Sequence, residues 1–70
     1  MIIMERLIKI GSVTAASRAR RALLAESLHT RLTKAETTRE GCIWGLRVKE
    51  NELFTVTRAL RRLGYSYELI

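Results

Sequence analysis

The sequence predicts one α+β domain in which four strands and two helices follow the order βαββαβ. Three observations predict it. The 70 residues are 47% apolar with no proline, which suits a folded chain without forced breaks. Two segments repeat their apolar residues with helical spacing, and the segments around them favour strands. This order is that of two split βαβ units, the ferredoxin-like arrangement with both helices on one face of an antiparallel sheet.

The first half of the chain predicts a strand, a helix and a strand. Residues 4–10 form the first strand, which ends at Gly11, and the hydroxyl of Ser12 can cap the helix over residues 13–28. The helix places small apolar residues on one face, which lets it lie close to a sheet. These residues are Ala15, Ala16, Ala19, Ala22 and Leu23. Threonines favour a second strand over residues 29–36.

The second half repeats the pattern after a polar connection at residues 37–40. A strand over residues 42–49 places alternate residues on one face: Cys42, Trp44, Leu46 and Val48. Asn51 is positioned to cap a helix over residues 52–63, and Gly64 to end it. Residues 65–70 form the last strand. The predicted core consists of Ile8, Ile10, Leu23, Leu46, Val48, Leu53, Val56, Leu60 and Leu63.

Composition narrows the classes of function. Thirteen Lys and Arg against seven Asp and Glu give a net charge of +6, which suits a nucleic acid, an acidic protein or an anionic small molecule. One cysteine excludes an internal disulfide, and no Cys/His cluster has metal-ligand spacing. No apolar stretch is long enough for a membrane span or a signal-peptide core. We therefore expect one cytoplasmic domain over residues 1–70 without a metal or bound cofactor.

The predicted topology brings Cys42 to the start of the first helix. A right-handed crossover makes strands one and two parallel, and strand three lies between them. Cys42 then lies near Gly11, Ser12 and Val13, where the helix dipole favours a thiolate. Gly41 allows a turn that other residues avoid, and Arg39 supplies another positive charge. Such a thiolate can attack a sulfur or selenium donor and hold the transferred atom.

The segment Gly41-Cys42-Ile43-Trp44-Gly45-Leu46-Arg47-Val48 resembles the signature of the small bacterial selenium/sulfur carrier-like proteins, a Cys-Gly-Tyr-Gly-Leu-Arg-Val type motif. The segment Ile10-Gly11-Ser12-Val13 before an alanine-rich helix is also similar. Cys42 corresponds to the motif cysteine and Gly45 to its second glycine, whereas Ile43 replaces a glycine and Trp44 a tyrosine. The resemblance implies a carrier or accessory protein rather than a turnover enzyme, with Arg47 in its motif and a donor or acceptor protein as partner.

Cys42 has a second interpretation, because a lone cysteine in a small domain is often an inert core residue. The chain would then be a basic binding module, either an RNA-binding protein or a homodimeric adaptor. Its basic surface would consist of Arg18, Arg21, Arg58, Arg61 and Arg62, which also suit a solvated helical layer. Phe54 lies among these arginines, a composition typical of protein interfaces. His29 is predicted at the end of the sheet opposite Cys42, as a helix-terminal residue.

The face of the sheet without helices is the predicted surface for a homodimer. Strand alternation places Ile43, Gly45 and Arg47 on this face. Tyr65, Tyr67 and Leu69 join it in one of the two phases of the last strand. Two copies would bury such residues face to face or pair their strand edges. RNA binding on the same face would need stacking aromatics, which only the two tyrosines can supply.

Overall fold

The computed structural model describes residues 4–70 and has the predicted α+β, ferredoxin-like architecture. Its elements are β1 (Glu5–Gly11), α1 (Val13–Leu24), β2 (Arg31–Thr38), β3 (Gly41–Lys49), a 3₁₀ turn (Glu50–Glu52), α2 (Leu53–Arg62) and β4 (Glu68–Leu69). The four strands form one sheet in the order β2-β3-β1-β4, and all neighbours are antiparallel. Strand β3 therefore lies between β1 and β2, as predicted. Residues 1–3 of the predicted domain lie outside the described part.

The first helix begins where the sequence predicts and ends four residues earlier. Ser12 has an extended backbone, and its Oγ accepts a hydrogen bond from the Ala15 amide at 3.1 Å. The helix stops at Leu24 because Ser27 adopts a left-handed conformation with φ of 63°. The Leu28 amide then donates to the Leu23 carbonyl at 2.9 Å, which closes the helix end. The predicted end at residue 28 is wrong, since no glycine marks this turn.

Ser27 thus occupies a position that favours glycine. We expect Ser27→Gly to raise the free energy of unfolding by about 0.5–1 kcal/mol, because the left-handed backbone no longer carries a Cβ atom. Ser17→Gly, in the middle of α1, is the matched control and should lower it by about 0.5–1 kcal/mol. Urea unfolding followed by circular dichroism measures both. Equal destabilisation by the two substitutions would contradict the assigned helix end.

Strands β2 and β3 form a hairpin with a turn of only two residues, Arg39 and Glu40. Thr37 and Thr38 belong to β2, so the connection is shorter than the predicted residues 37–40. The strand β2 also begins at residue 31 rather than at residue 29. Thr38 Oγ1 accepts from the Glu40 amide at 3.2 Å and donates to the Gly41 carbonyl at 3.0 Å. The side chain of Thr38 therefore fixes the turn.

The second helix starts from the 3₁₀ turn rather than from an Asn51 cap, so the predicted cap is wrong. Glu52 takes the cap position without a side-chain hydrogen bond. The helix ends as predicted at Gly64, whose φ is 85°, and the Tyr65 amide donates to the Leu60 carbonyl at 2.9 Å. Because Tyr65 still belongs to this helix end, the last strand is shorter than the predicted residues 65–70.

The core lies between the two helices and one face of the sheet. Its buried residues are Ile8, Ala16, Ala19, Leu23, Leu46, Val48, Val56, Ala59 and Leu60. Ile10 and Leu53 are partly buried and pack against this cluster. Leu63 lies after the last turn of α2 and is 38% exposed, so its predicted place in the core is wrong. The buried alanines let α1 approach the sheet closely, as the sequence indicates.

Two bulges face the same stretch of β3. Ile10 is an extra residue in β1, between the pairs Lys9 with Gly45 and Gly11 with Trp44. Ala35 is an extra residue in β2, at the next step along β3. Gly45 is buried here, and a Cβ atom on it would lie 2.2 Å from the carbonyl oxygen of Ile8. The strands can approach this closely only because Gly45 has no side chain.

The open face of the sheet is largely charged. Lys9, Gly45 and Thr33 form one row across β1, β3 and β2. Because Gly45 has no side chain, Lys9 reaches across β3, and its Nζ lies 3.7 Å from Glu36 Oε1 and 3.7 Å from Glu68 Oε2. Ion pairs therefore connect both edge strands to β1 on this face.

The two tyrosines of the last segment pack against the core, on the side of the helices. Tyr67 accepts a hydrogen bond from Arg61 at 3.2 Å. Leu69 pairs with Ile8, whose side chain is in the core, and is 44% exposed at the sheet edge. Tyr65 and Leu69 do not join Ile43 on the open face, whereas Tyr67 borders a shallow groove with Lys9 and Ile43 at the β1–β4 edge of the sheet. The homodimer stays a prediction, with fewer apolar residues available on this face than the sequence allowed.

Candidate functional site

Cys42 lies at the exposed tip of the β2–β3 hairpin. It is the second residue of β3, its partner in β2 is Thr37, and its side chain is exposed and not in a disulfide. As the sole cysteine of the chain, it is also the sole thiol nucleophile. Its position allows a reagent to approach from solvent without any opening of the fold.

The residue before Cys42 has a backbone that favours glycine. Gly41 has φ of 134°, and open space surrounds the position where a Cβ atom would stand. The constraint is therefore conformational and not one of packing. Arg39 lies in the exposed turn, three residues before the thiol. The hairpin thus presents one cation, one anion (Glu40) and one thiol around the same short, hydrogen-bonded turn.

The start of α1 lies at the same end of the sheet as Cys42. Pairing between β1 and β3 ends at Gly11 with Trp44, and Ser12 follows directly. Cys42 is two residues beyond Trp44, a distance of about 7 Å along the strand. The hydroxyl of Ser12 accepts from the helix backbone, so its function here is to cap α1. Ser12 and Cys42 thus lie at the same end of the sheet, and Ser12 already has a structural partner.

Lys34 is a neighbour that sequence analysis missed. It pairs with Trp44 across the hairpin, and its Nζ lies 5.9 Å from the centre of the indole ring. Alternation along β3 places Trp44 and Cys42 on the same face. A cation and an aromatic ring therefore lie on the face of the hairpin that carries the thiol. The bulge at Ala35 shifts the pairing of β2 with β3 by one residue. Counting residues back from the turn therefore does not pair Lys34 with Trp44.

Gly45 and Arg47, two further motif residues, lie on the open face. Gly45 permits the close approach of β1, which is a structural function. Arg47 is half-buried in a row with Leu7 and Arg31, on the face opposite Cys42, as its spacing predicts. The structure therefore keeps Arg47 away from the thiol and beside another cation.

The five arginines of the predicted basic surface are all exposed, but three of them have partners within the chain. Arg58 lies over the ring of Phe54, with 5.6 Å between its Cζ and the ring centre. Arg61 donates to Tyr67, and Arg62 forms an ion pair with Glu26. Arg18 and Arg21 lie beside Val13, Thr14 and Ser17 around a shallow groove on the outer surface of α1. The surface therefore consists of separate parts.

Three further expectations from the sequence concern His29, a metal site and a membrane-spanning helix. His29 is exposed between α1 and β2, at the predicted end of the sheet away from the hairpin, but α1 ends at Leu24, so its predicted helix-terminal position is wrong. Within residues 4–70, no group of three His, Cys, Asp or Glu residues is arranged to hold a metal ion. No helix in this part of the chain has the length and apolar character to cross a membrane.

The hairpin site combines an exposed thiol with a turn fixed by Thr38, and the hairpin also carries the cations Arg39 and Lys34 and the anion Glu40. The arrangement can support attack on a sulfur or selenium atom delivered from solvent. Comparison with known proteins adds no assignment: no family model, no curated protein and no solved structure matches this chain.

Proposed function

We propose that this protein is a small cytoplasmic carrier that holds sulfur or selenium on Cys42 for transfer to a partner protein. One observation carries the proposal: the only thiol of the chain is exposed at the tip of a hairpin. A core cysteine with a packing function would be buried, so its exposure favours a chemical function. The motif resemblance of residues 41–48 supports the same function.

The transfer step needs no external oxidant or reductant. The Cys42 thiolate attacks the outer sulfur of a donor persulfide, R–S–SH, and forms a new S–S bond as the donor S–S bond breaks. The donor leaves as the thiolate R–S⁻ with the electron pair, and Cys42 becomes a persulfide. Attack by an acceptor thiolate on the outer sulfur then restores Cys42. A donor of the type R–S–SeH gives the selenium analogue by the same steps.

The surroundings of Cys42 suit this exchange. Gly41 gives the turn a backbone conformation that side chains disfavour. Arg39, in the adjacent turn, supplies a positive charge at the hairpin tip that can attract an anionic donor. A reducing cytoplasm keeps such a thiol free between transfers. The group carried is covalent, so the function requires no separate cofactor.

Intact-protein mass spectrometry after incubation with glutathione persulfide tests the proposal. We expect a gain of about 32 mass units, lost on treatment with dithiothreitol, and a gain of about 80 with the selenium donor. Cys42→Ser should abolish the gain. Arg39→Gln should slow persulfide formation by about twofold to tenfold while the fold stays intact, because the positive charge that attracts the anionic glutathione persulfide is lost. Arg21→Gln, a substitution on the outer surface of α1, is the matched control.

Two results would contradict the carrier function. One is a native protein that stays unmodified while the unfolded chain gains the extra mass, which would identify Cys42 as inaccessible. The other is a persulfide that forms but passes its sulfur to no acceptor thiol, including free glutathione. In either case the basic binding module with a structural cysteine becomes the better interpretation.

A further inference from the structure

The most exposed large apolar side chain in the described residues belongs to Phe54, at the start of α2. It is 72% exposed, whereas the buried stripe of this helix consists of Val56, Ala59 and Leu60. Phe54 therefore adds nothing to the core. A single aromatic ring held in water is an unfavourable choice for a purely solvated surface.

Arg58 is positioned by this ring. Its guanidinium lies over Phe54, one helical turn away, with 5.6 Å between Cζ and the ring centre. Within residues 4–70 the guanidinium of Arg58 forms no ion pair. Stacking holds it in place and leaves its donors free for a carboxylate, which it can bind in bidentate fashion.

A groove of about 290 Å³ continues this surface between α2 and the α1–β2 connection. Leu28 and Ala59 supply its apolar lining, and Arg58 and Arg62 lie in its walls. The ion pair between Arg62 and Glu26 fixes the far wall. The groove has the size for an aliphatic side chain and lies directly beside the Phe54 and Arg58 pair.

We propose that Phe54, Arg58 and this groove form a docking surface for an acidic segment of a partner protein that carries aliphatic residues between its carboxylates. Charge complementarity selects the acidic character, because α2 has three arginines and no acidic residue. The apolar lining of the groove favours an aliphatic residue in the bound segment. A nucleic acid fits less well, because Arg58 covers one face of Phe54 and limits stacking on a base.

The docking surface is independent of Cys42. Phe54 follows the end of β3, whereas Cys42 is at its beginning, and the strand between residues 42 and 49 extends about 23 Å. A partner bound at α2 therefore leaves the thiol accessible. Loss of docking and loss of persulfide formation can be measured separately.

Fluorescence anisotropy tests the proposal with a fluorescein-labelled peptide of four Asp-Leu-Glu repeats. We expect a dissociation constant on the order of 10–100 µM at low ionic strength, as for small transient interfaces. Phe54→Ala and Arg58→Gln should each weaken binding by roughly tenfold. Arg21→Gln, which removes an equal charge from α1, should change it less than about twofold. Circular dichroism should show all three variants folded, because the replaced side chains are exposed.

Two further probes separate the alternatives. A peptide of four Asp-Ser-Glu repeats has the same charge without leucine and should bind at least about fivefold more weakly. Equal binding of the two peptides, unchanged binding by Phe54→Ala, or no binding at low salt would each overturn the proposal. Labelled oligouridine that binds more tightly than the leucine peptide, and depends on Phe54, would assign the surface to nucleic acid instead.

Discussion

Gly45→Ala should unfold the domain at room temperature or leave it marginally stable. The added Cβ atom would lie 2.2 Å from the Ile8 carbonyl oxygen and 3.2 Å from the Lys9 Cα, both in the adjacent strand. Backbone atoms of a central strand cannot yield as a side chain can, so β1 and β3 must separate. We expect a loss of about 3 kcal/mol or more. A domain of this size has about 3.5–10 kcal/mol in total.

Thr33→Ala is the matched control for this substitution. Thr33 pairs with Gly45 on the open face, so both changes affect the same row of the sheet. We expect its free energy of unfolding to fall by less than about 1 kcal/mol. Guanidinium unfolding monitored by circular dichroism measures both variants. A Gly45→Ala protein as stable as Thr33→Ala would show that β1 and β3 do not approach as closely as described.

Leu46→Ala has the second largest expected effect, a loss of about 2–5 kcal/mol. Leu46 is fully buried in the central strand β3, in a row with Ile8 on one side and Leu32 on the other. Truncation leaves a cavity between the sheet and the helices, because secondary structure holds the surrounding backbone in place. The thermal midpoint should fall by tens of degrees, since a small domain has a small entropy of unfolding.

Leu69→Ala makes the same chemical change at an exposed position. Leu69 pairs with Ile8 at the sheet edge and is 44% exposed, so we expect a loss of less than about 1 kcal/mol. Differential scanning calorimetry provides the comparison. Similar midpoints for the two variants would mean that the core does not close around Leu46.

The order of the elements was predictable because each one has a local signal. Ser12 caps α1, Gly64 ends α2, and apolar periodicity distinguishes helices from strands. The antiparallel sheet then follows from the handedness of the crossover. The end of α1 was not predictable, because Ser27 provides the left-handed turn in place of glycine. The short β4 depends on the cap of α2, a tertiary feature.

Because of the two bulges, only part of the candidate site could be predicted from the sequence. The sequence left open whether Cys42 is exposed or a core residue, and the structure exposes it, whereas Arg47 falls on the opposite face by simple alternation. Lys34 could not be placed beside Trp44, because Ala35 is inserted between Lys34 and the turn. Phe54 and Arg58 are four residues apart in the predicted helix as well, so the sequence already indicated that they share one side of α2.

The contact between Lys34 and Trp44 makes the conformation of the β2–β3 hairpin detectable by tryptophan fluorescence. Trp44 is the only tryptophan of the chain, and it lies outside the buried core, half-exposed near the hairpin tip. The indole emission therefore depends on the local environment of β2 and β3, where an ammonium group lies 5.9 Å from the ring centre. Fraying of the edge strand separates that charge from the indole while the core stays closed. The emission spectrum thus records local opening of one hairpin, while far-ultraviolet dichroism records loss of the whole fold.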